Sequence, residues 1–467
     1  MGGLFAVLTD ARSNCVEDLF FGTDYHSHLG TMRGGLAVKN AGGFQRFIKD
    51  ITTTQFRSKF EDDIKKMHGN KGIGVISDFD DQPLIINSKL GVFAIATVGR
   101  INNIDILAEE ALKKGAHFSE MHGSEINPTE IVATIISQGN SFEDGIVKLQ
   151  DMIDGSCTLL IMTKEGIYAA RDKFGRTPLI LGKKLGAYSF AMETCAFPNL
   201  GYKIKKILGP GEIIYISEKG IEEKRPPRDR LQICSFLWVY YGYPASSYEG
   251  INVETVRYRC GQCLAKQDDE EIDLVAGIPD SGTAHGLGYA AETKIPFSRP
   301  FVKYTPTWPR SFMPQDQMIR DLVAKMKLIP IRDLISDKRL MFCEDSIVRG
   351  TQLRDTIIRL YENGAKEIHM RPACPPLVYG CKFLNFSRSR SEMDLAGRWA
   401  IKELIGKEID DPKDYVDPDS DNYQAMVEVI RKRLNLTTLK YQRLENLVKA
   451  IGLPKEKLCT YCWDGQE

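Results

Sequence analysis

The chain has 467 residues, and its 62 Lys and Arg balance its 62 Asp and Glu, so the formal net charge is zero. A broad nucleic-acid-binding surface normally needs a cationic excess, and this balance argues against one. No apolar run approaches the roughly 20 residues of a membrane span, and MGGLFAVLTD lacks the basic start of a signal peptide. We therefore expect a cytoplasmic protein of two or three domains, with eleven cysteines that stay reduced and with no membrane or nucleic-acid partner.

The first half of the sequence is predicted to be rich in β-strands with helices between them. Apolar, strand-like runs occupy 3–8, 72–77, 91–98, 157–163, 188–193 and 212–217. Helical spacing of apolar residues predicts helices over 102–114 and 127–138. Short turns between the last strands favour antiparallel pairing. The charged, proline-containing stretch 220–233 has no apolar periodicity, and we place a domain boundary there.

The second half alternates strands with helices. Strands are predicted at 273–279, 339–345 and 367–373, and a helix is predicted at about 351–362 because Asn363-Gly364 favours a stop there. Repeats of strand, turn and helix are typical of a parallel sheet with crossover helices. The tail, 388–467, is predicted to be helical and charged.

Two acidic residues follow the second of these strands, in LMFCEDSIVRGTQL (340–353). Ligands of open parallel sheets bind at the carboxyl ends of strands, and backbone N–H groups at a helix N-terminus bind phosphate. The adjacent carboxylates of Glu344 and Asp345 would hold vicinal hydroxyls or Mg²⁺. Strand, acids and turn alone also fit an ordinary capped helix with exposed acids.

The full string EDSIVRGT is more specific, because it resembles the signature that binds 5-phosphoribosyl 1-diphosphate (PRPP) in type I phosphoribosyltransferases. DSIVRGT is most similar to the amidophosphoribosyltransferases of purine synthesis. AGIPDSGTAHGLGYA (276–290) resembles their second loop, which binds pyrophosphate and Mg²⁺, although its composition also suits an ordinary turn. The resemblance implies PRPP binding by Asp280, Ser281, Gly282, Glu344, Asp345, Ser346, Arg349, Gly350 and Thr351, and Mg²⁺ binding by Ser281, Glu344 and Asp345. Glu344 stands where the family usually has Asp.

The segment between these loops, 301–328, resembles the mobile loop that closes over PRPP in this family. Its cationic positions are matched by Lys303, Arg310 and Lys327, to which the resemblance assigns a catalytic role. Cations there would neutralise the diphosphate leaving group. The chain departs from the family at Tyr304-Thr305, where an Asn-Arg pair is expected.

The first half resembles the glutaminase domain of the same family in RDKFGRTPLILG (171–182), METCAFPNLG (192–201) and GPGEIIYI (209–216). That domain is an N-terminal-nucleophile-hydrolase-like α/β/β/α sandwich. The implied organisation is a glutaminase-like domain at 1–230 and, at 231–467, a type I phosphoribosyltransferase parallel-sheet domain with a helical tail.

The glutaminase chemistry is missing from the matching positions. In the family a Cys at the start of the first strand attacks the glutamine amide, and here Gly2 stands at that position. Val98-Gly99 replaces the Asn-Gly of the oxyanion hole, and Pro128 replaces the Asp that holds the substrate amine. We therefore expect a degenerate domain that has lost glutamine hydrolysis.

Four cysteines lie in contexts similar to those that hold a [4Fe–4S] cluster in one branch of the family. Cys459 and Cys462 form a C-x-x-C pair, while Cys234 and Cys381 lie in ICSFLWVYYGYPASS and CPPLVYGCKF. The resemblance implies a [4Fe–4S] cluster on these four residues, and structural Zn²⁺ is the alternative.

The other cysteines and the histidines carry weaker signals. Cys260 and Cys263 form a second C-x-x-C pair that competes for ligand status, although buried helical thiols explain it as well. The seven histidines show no metal spacing, and His26 and His28 are expected at the surface. The remaining cysteines are expected in the core: Cys15, Cys157, Cys195, Cys343 and Cys374.

The sequence thus predicts an amidophosphoribosyltransferase-like glycosyltransferase. It would displace pyrophosphate from Mg²⁺·PRPP with an amine, most simply ammonia. Two alternatives stay open, namely a non-catalytic sensor of PRPP or nucleotides and a phosphoribosyltransferase with a different amine acceptor. The resemblance further implies a homo-oligomer.

Overall fold

The computed structural model describes residues 2–122, 125–303, 328–384 and 392–467. The described part of its first half contains fifteen β-strands and six α-helices. The strands are β1 (Gly2–Thr9), β2 (Arg33–Asn40), β3 (Gly43–Asp50), β4 (Lys71–Ser77), β5 (Leu84–Ser88), β6 (Gly91–Ile101), β7 (Met121–His122), β8 (Glu125–Ile126), β9 (Gly155–Met162), β10 (Gly166–Ala170), β11 (Ile180–Lys184), β12 (Ala187–Ala191), β13 (Lys203–Ile207), β14 (Ile213–Ser217) and β15 (Gly220–Arg225). The helices are α1 (Val16–Asp24), α2 (Phe56–Ile64), α3 (Ile104–Lys113), α4 (Pro128–Ser137), α5 (Phe142–Met152) and α6 (Ala196–Asn199).

Thirteen of these strands form two antiparallel sheets, and β7 and β8 pair separately with each other. One has seven strands in the order β13-β11-β12-β1-β4-β2-β3, and the other has six in the order β15-β14-β10-β9-β6-β5. Successive side chains of a strand point to opposite faces, so each central strand serves two packing layers. The inward residues of β1 and β6 meet between the sheets: Leu4, Ala6, Leu8, Ala94, Ala96 and Val98.

Helices cover the outer face of each sheet. Phe5 and Val7 of β1 pack with residues of α1 and α2, whereas Phe93 and Ile95 of β6 pack with residues of α3, α4 and α5. The result is the predicted α/β/β/α sandwich, and the predicted strands and helices of this half are confirmed.

The second half contains the strands β16 (Ile233–Cys234), β17 (Ser247–Tyr248), β18 (Ile251–Asn252), β19 (Leu274–Gly277), β20 (Phe301–Lys303), β21 (Leu328–Pro330), β22 (Arg339–Glu344), β23 (Glu367–Pro372), β24 (Thr438–Leu439) and β25 (Leu458–Cys459). Its helices are α7 (Val253–Ala265), α8 (Gly282–Thr293), α9 (Arg332–Ile335), α10 (Thr351–Glu362), α11 (Ala396–Ile405), α12 (Asp421–Arg433), α13 (Leu444–Ile451) and α14 (Tyr461–Asp464). The order β19-β22-β23-β24 makes a parallel sheet, as predicted.

Two expectations need correction. The start of the stretch in which the domain boundary was placed is a regular strand: residues 220–225 form β15, the edge strand beside β14, because an edge strand tolerates a charged sequence. The tail is not purely helical, since β24 joins the parallel sheet and β25 pairs with β16. The division into 1–230 and 231–467 stays a prediction, although the two antiparallel sheets and the parallel sheet fall on opposite sides of it.

A single hydrophobic cluster joins the two halves. It extends from Leu4 between the antiparallel sheets to Trp238, within the π-helical turn Leu237–Tyr241, and to Trp463 in α14. None of the described helices combines the length and the apolar character needed to cross a bilayer.

Candidate active site

The loops after β19 and β22 lie side by side at the carboxyl edge of the parallel sheet. Gly277 is in register with Cys343, so both strands deliver their loops to the same place. A Cβ added to Gly277 would lie 2.3 Å from the Gly282 carbonyl oxygen, and one on Gly282 would lie 2.5 Å from that of Cys343. Only glycine allows the backbone to approach this closely.

Asp345 connects the two loops. Its carboxylate accepts hydrogen bonds from Ser281 Oγ at 2.5 Å and from Ser346 Oγ at 2.6 Å. Asp345 is only 6% exposed, so this carboxylate is oriented before any ligand arrives. The structure thus brings together residues that the sequence placed in two separate motifs.

Glu344 lies beside Asp345 and accepts a hydrogen bond from the Asp345 backbone N–H at 3.1 Å. Burial, followed by the neighbouring charge of Asp345, raises the pKa of Glu344 well above its ordinary value. A nearby cation would stabilise the ionised form of Glu344, and oxygen ligands are those that Mg²⁺ prefers. With Ser281 Oγ within reach of Asp345, the residues fit the predicted magnesium site.

The start of α10 forms the other side of the second loop. Gly350 has a φ of +79°, a left-handed conformation that favours glycine, and Thr351 begins the helix. The first backbone N–H groups of a helix have no intrahelical partner and are suited to an anion. Arg349, half exposed, forms an ion pair with Asp394 at 3.3 Å.

One of the three predicted catalytic cations can be located. Lys303, at the end of β20, forms an exposed ion pair with Asp280 in the first loop. Arg310 and Lys327 lie outside the described residues, as do Tyr304 and Thr305.

The start of β1, where the resemblance expects the glutaminase nucleophile, has no room for a side chain. Gly2 is in register with Ser77 of β4. A Cβ on Gly2 would lie 2.5 Å from the Ile76 carbonyl oxygen and 3.1 Å from Val98 Cγ2. Val98 was expected at the oxyanion position, and the structure places its apolar side chain directly beside Gly2.

Two titratable residues of this half, His26 and Asp80, are desolvated inside the domain. His26 is fully buried, so its expected surface position is wrong. Its Nδ1 bonds the Gly22 carbonyl oxygen at 2.8 Å, its Nε2 accepts two backbone N–H groups, and burial lowers its pKa to about 4. Burial raises the pKa of Asp80 to about 7, and Thr129 Oγ1 donates only a long hydrogen bond to it at 3.4 Å.

The four predicted cluster cysteines line one small cavity. Cys234 and Cys459 are neighbours in register on β16 and β25, and Cys381 and Cys462 complete the set. Among the described residues, no three of these sulfur atoms lie within 4.8 Å of one another. Burial raises the pKa of Cys459 to about 11, although the nearby guanidinium of Arg176 acts in the opposite direction.

The competing cysteines do not reach this cavity. Cys260 and Cys263 both lie on α7, the first buried and the second half-buried, and neither lines the cavity. The other five cysteines are buried, as expected. Arg176 lines the cavity from the first half of the chain and could not be predicted there, because an arginine in a glycine-containing turn gives no local signal of burial.

The fold and the strand-end loops define a glutamine amidotransferase-type sandwich joined to a phosphoribosyltransferase-type domain. A family model for a glutamine amidotransferase domain matches residues 71–199. The amidophosphoribosyltransferase of Bacillus subtilis is 30% identical over 393 residues, which cover 82% of this chain and 76% of the relative. That of Methanocaldococcus jannaschii is 29% identical over 492 residues, which cover 100% of this chain and 97% of the relative.

A solved structure agrees with these sequences. The glutamine PRPP amidotransferase from B. subtilis complexed with ADP and GMP matches with a TM-score of 0.85 and 27% identity, over 99% of this chain and 96% of that one. The chain belongs to the amidophosphoribosyltransferase family. The predicted family and fold class are therefore confirmed.

Proposed function

We propose that the protein transfers an amine, most simply ammonia, to C1 of PRPP, and that it does not hydrolyse glutamine. One contrast carries this proposal. Asp345 joins two strand-end loops into an oriented polar site, whereas the start of β1 excludes even a Cβ at Gly2. Membership in the amidophosphoribosyltransferase family supports the transferase half of the proposal.

In the proposed reaction the bond between C1 and the diphosphate oxygen breaks, and pyrophosphate leaves with the electron pair. The nitrogen of ammonia forms the new bond to C1 and then loses a proton to water. The backbone N–H groups of 350–353 would hold the 5-phosphate, assisted by Arg349, while Glu344 and Asp345 would hold the ribose hydroxyls. These contacts orient the ribose before the bond breaks.

Charge neutralisation is the second contribution of the protein. Lys303, at the end of β20, is paired with Asp280 of the first loop and would face the diphosphate there; Arg310 and Lys327 are proposed to assist. Ser281, Glu344 and Asp345 would hold Mg²⁺, which supplies positive charge to the leaving group when bound. Ammonia needs no general base for the attack itself.

We also propose that Cys234, Cys381, Cys459 and Cys462 hold a [4Fe–4S] cluster. A single tetrahedral Zn²⁺ with Zn–S bonds of about 2.3 Å needs sulfur atoms roughly 3.8 Å apart. No three of the four sulfur atoms, all in the described part of the chain, lie within 4.8 Å of one another, so the set does not form a ready-made tetrahedral zinc site, and we favour the polynuclear cluster. The cavity also contains a buried donor without a hydrogen-bond partner among the described residues, Arg176 Nε, which suits a negatively charged cluster.

Pyrophosphate release from Mg²⁺·PRPP by anaerobically purified protein tests the reaction. We expect release with ammonium as the nitrogen source and none with glutamine. Release with glutamine would contradict the loss of the glutaminase. If no pyrophosphate is released with either nitrogen source, the protein is a PRPP or nucleotide sensor or uses a different amine. A screen of amines for pyrophosphate release would distinguish these two alternatives.

The cluster has its own test. We expect a brown protein with about four irons per chain, and loss of colour and iron in Cys459→Ser. Cys263→Ser is the matched control, because Cys263 belongs to the other C-x-x-C pair and does not line the cavity. A colourless protein that holds one zinc would contradict the cluster. Gel filtration of the same preparation tests the homo-oligomer that the resemblance implies.

A further inference from the structure

Arg176 crosses from the first half of the chain into the four-cysteine cavity. It follows β10 and β9 in the antiparallel sheet, yet its Nη1 donates a hydrogen bond to Cys459 Sγ at 3.1 Å. Its Nη2 donates to Gln232 Oε1 at 3.3 Å, and its guanidinium carbon lies 3.3 Å from the centre of the Phe383 ring. Three contacts therefore fix the guanidinium against the sulfur atom.

The charge of Arg176 has no carboxylate partner in the described part of the chain. The residue is 3% exposed, and Nε lacks a hydrogen-bond partner there. A buried cation is costly unless an anion compensates it. The described side chains that line the cavity and can become anionic are the four cysteines. The arrangement therefore suits a centre whose sulfur atoms carry negative charge.

We propose that Arg176 is a positioning residue for the sulfur centre: it orients Cys459 as a thiolate ligand and stabilises the negative charge of the bound cluster. This proposal rests on the [4Fe–4S] cluster proposed above. Hydrogen bonds to cluster sulfurs and nearby charge set the reduction potential of such centres. Residues that orient a ligand also affect metal retention, typically by 10- to 100-fold.

The surroundings of Arg176 supply a matched control. Arg176 and Phe383 also line a second, polar pocket, together with Lys173. Lys173 is a cation three residues earlier in the chain that lines this second pocket but not the four-cysteine cavity. Lys173→Met therefore removes a nearby positive charge without removing a contact to sulfur.

The test compares anaerobic, iron-loaded wild type with R176M, R176K and K173M. For each, a redox titration followed by electron paramagnetic resonance gives the midpoint potential, and an iron chelator gives the rate of iron release. In R176M we expect a more negative potential, because the reduced and more anionic cluster loses a stabilising cation. We also expect iron release about 10-fold faster in R176M. R176K keeps a potential close to that of wild type, and K173M resembles wild type in both measurements.

Three outcomes would overturn the proposal. If R176M and K173M behave alike, Arg176 does not act on the sulfur centre. If R176M and R176K are both less stable to heat while their potentials equal that of wild type, Arg176 serves packing alone. If the wild-type protein binds no iron, both the proposed cluster and the proposed role of Arg176 are contradicted. If the wild type binds iron and R176M has the same potential and the same rate of iron release, only the role of Arg176 is contradicted.

Discussion

The loops after β19 and β22 and the start of β1 are both sites where this family is expected to do chemistry, and they are built in opposite ways. Around Asp345, hydroxyl and carboxyl groups converge, and close glycine packing brings the backbone of two loops together. Around Gly2, equally close packing brings a carbonyl oxygen and the methyl group of Val98 into the space that a side chain would need. Gly277 and Gly282 let two proposed ligand-binding loops approach each other, whereas at Gly2 the same close packing leaves no space for a catalytic side chain.

This difference shows that the residues that stabilise the fold are not the residues that catalysis requires. The sandwich is retained with all its layers, because its stability depends on apolar side chains that alternate along β1 and β6. Catalysis depends on a few polar groups at strand ends, and these can disappear without disturbing the layers. Each of the following variants tests one side of the contrast.

Asp345→Asn should have the largest effect. It removes the charge that connects the two loops, and we expect ammonium-dependent pyrophosphate release to fall at least about 100-fold. The measurement is the rate of pyrophosphate release at saturating ammonium. Asp355→Asn changes an exposed residue of α10 and should leave the rate unaltered. An equal loss of rate in both variants would show that Asp345 has no specific role in the reaction.

Gly2→Cys should not restore glutamine hydrolysis. The new Cβ meets the Ile76 carbonyl oxygen, so we expect the free energy of unfolding to fall by about 1–3 kcal/mol. Urea unfolding and a glutaminase assay measure the two effects. Gly2→Ala should destabilise equally, whereas Gly42→Ala, whose Cβ meets only Asn40 Oδ1 at 3.3 Å, should be nearly neutral. Glutamate production by Gly2→Cys would show that the site is merely lacking a thiol.

Lys303→Met should reduce kcat for pyrophosphate release about 10-fold, because a cation near the leaving group is removed. Its exposed ion pair with Asp280 contributes little to stability, so the thermal midpoint should stay within about 1 °C of wild type. Lys407→Met, at another exposed position, is the control. An unaltered kcat would place Lys303 outside the reaction.

Asp80→Asn should give the smallest effect, and one that depends on pH. The folded pKa of about 7 lies above the unfolded value of about 3.9, so the unfolded state loses its proton first as pH rises. Ionisation of Asp80 therefore reduces stability progressively between about pH 4 and pH 7. Asp80→Asn removes this cost, and we expect a gain of about 1 kcal/mol at pH 8 and almost none at pH 4 in urea unfolding. Asp154→Asn, at an exposed site, should show no such pH dependence.

Much of this architecture could be predicted from local sequence. Helix α10 has the predicted bounds because the turn residues Gly350 and Asn363-Gly364 flank it. The paired loops could be predicted because their motifs include the glycines and acids that the geometry needs. The central strands could be predicted from their apolar runs, because a strand that is buried on both faces needs apolar residues along its whole length.

What local sequence could not supply depends on contacts between distant segments. The charged strand β15 is held by its pairing with β14 rather than by its own pattern. His26 is buried because backbone N–H groups of Met192 and Glu193 satisfy its ring. The lack of space for a side chain at Gly2 depends on the register between β1 and β4. The role of Arg176 depends on its contact with Cys459 in β25, a strand that begins more than 280 residues later.

The hydrophobic cluster that extends from Leu4 to Trp463 makes each half of the chain a packing surface for the other. The first half therefore contributes to the folding of the second, independent of any reaction that it performs. A chain cut down to residues 231–467 would leave Trp238 and its neighbours facing water, and we expect it to aggregate. Selection for folding alone would retain the first half of the chain, so a reaction there can be lost more easily than the polypeptide itself.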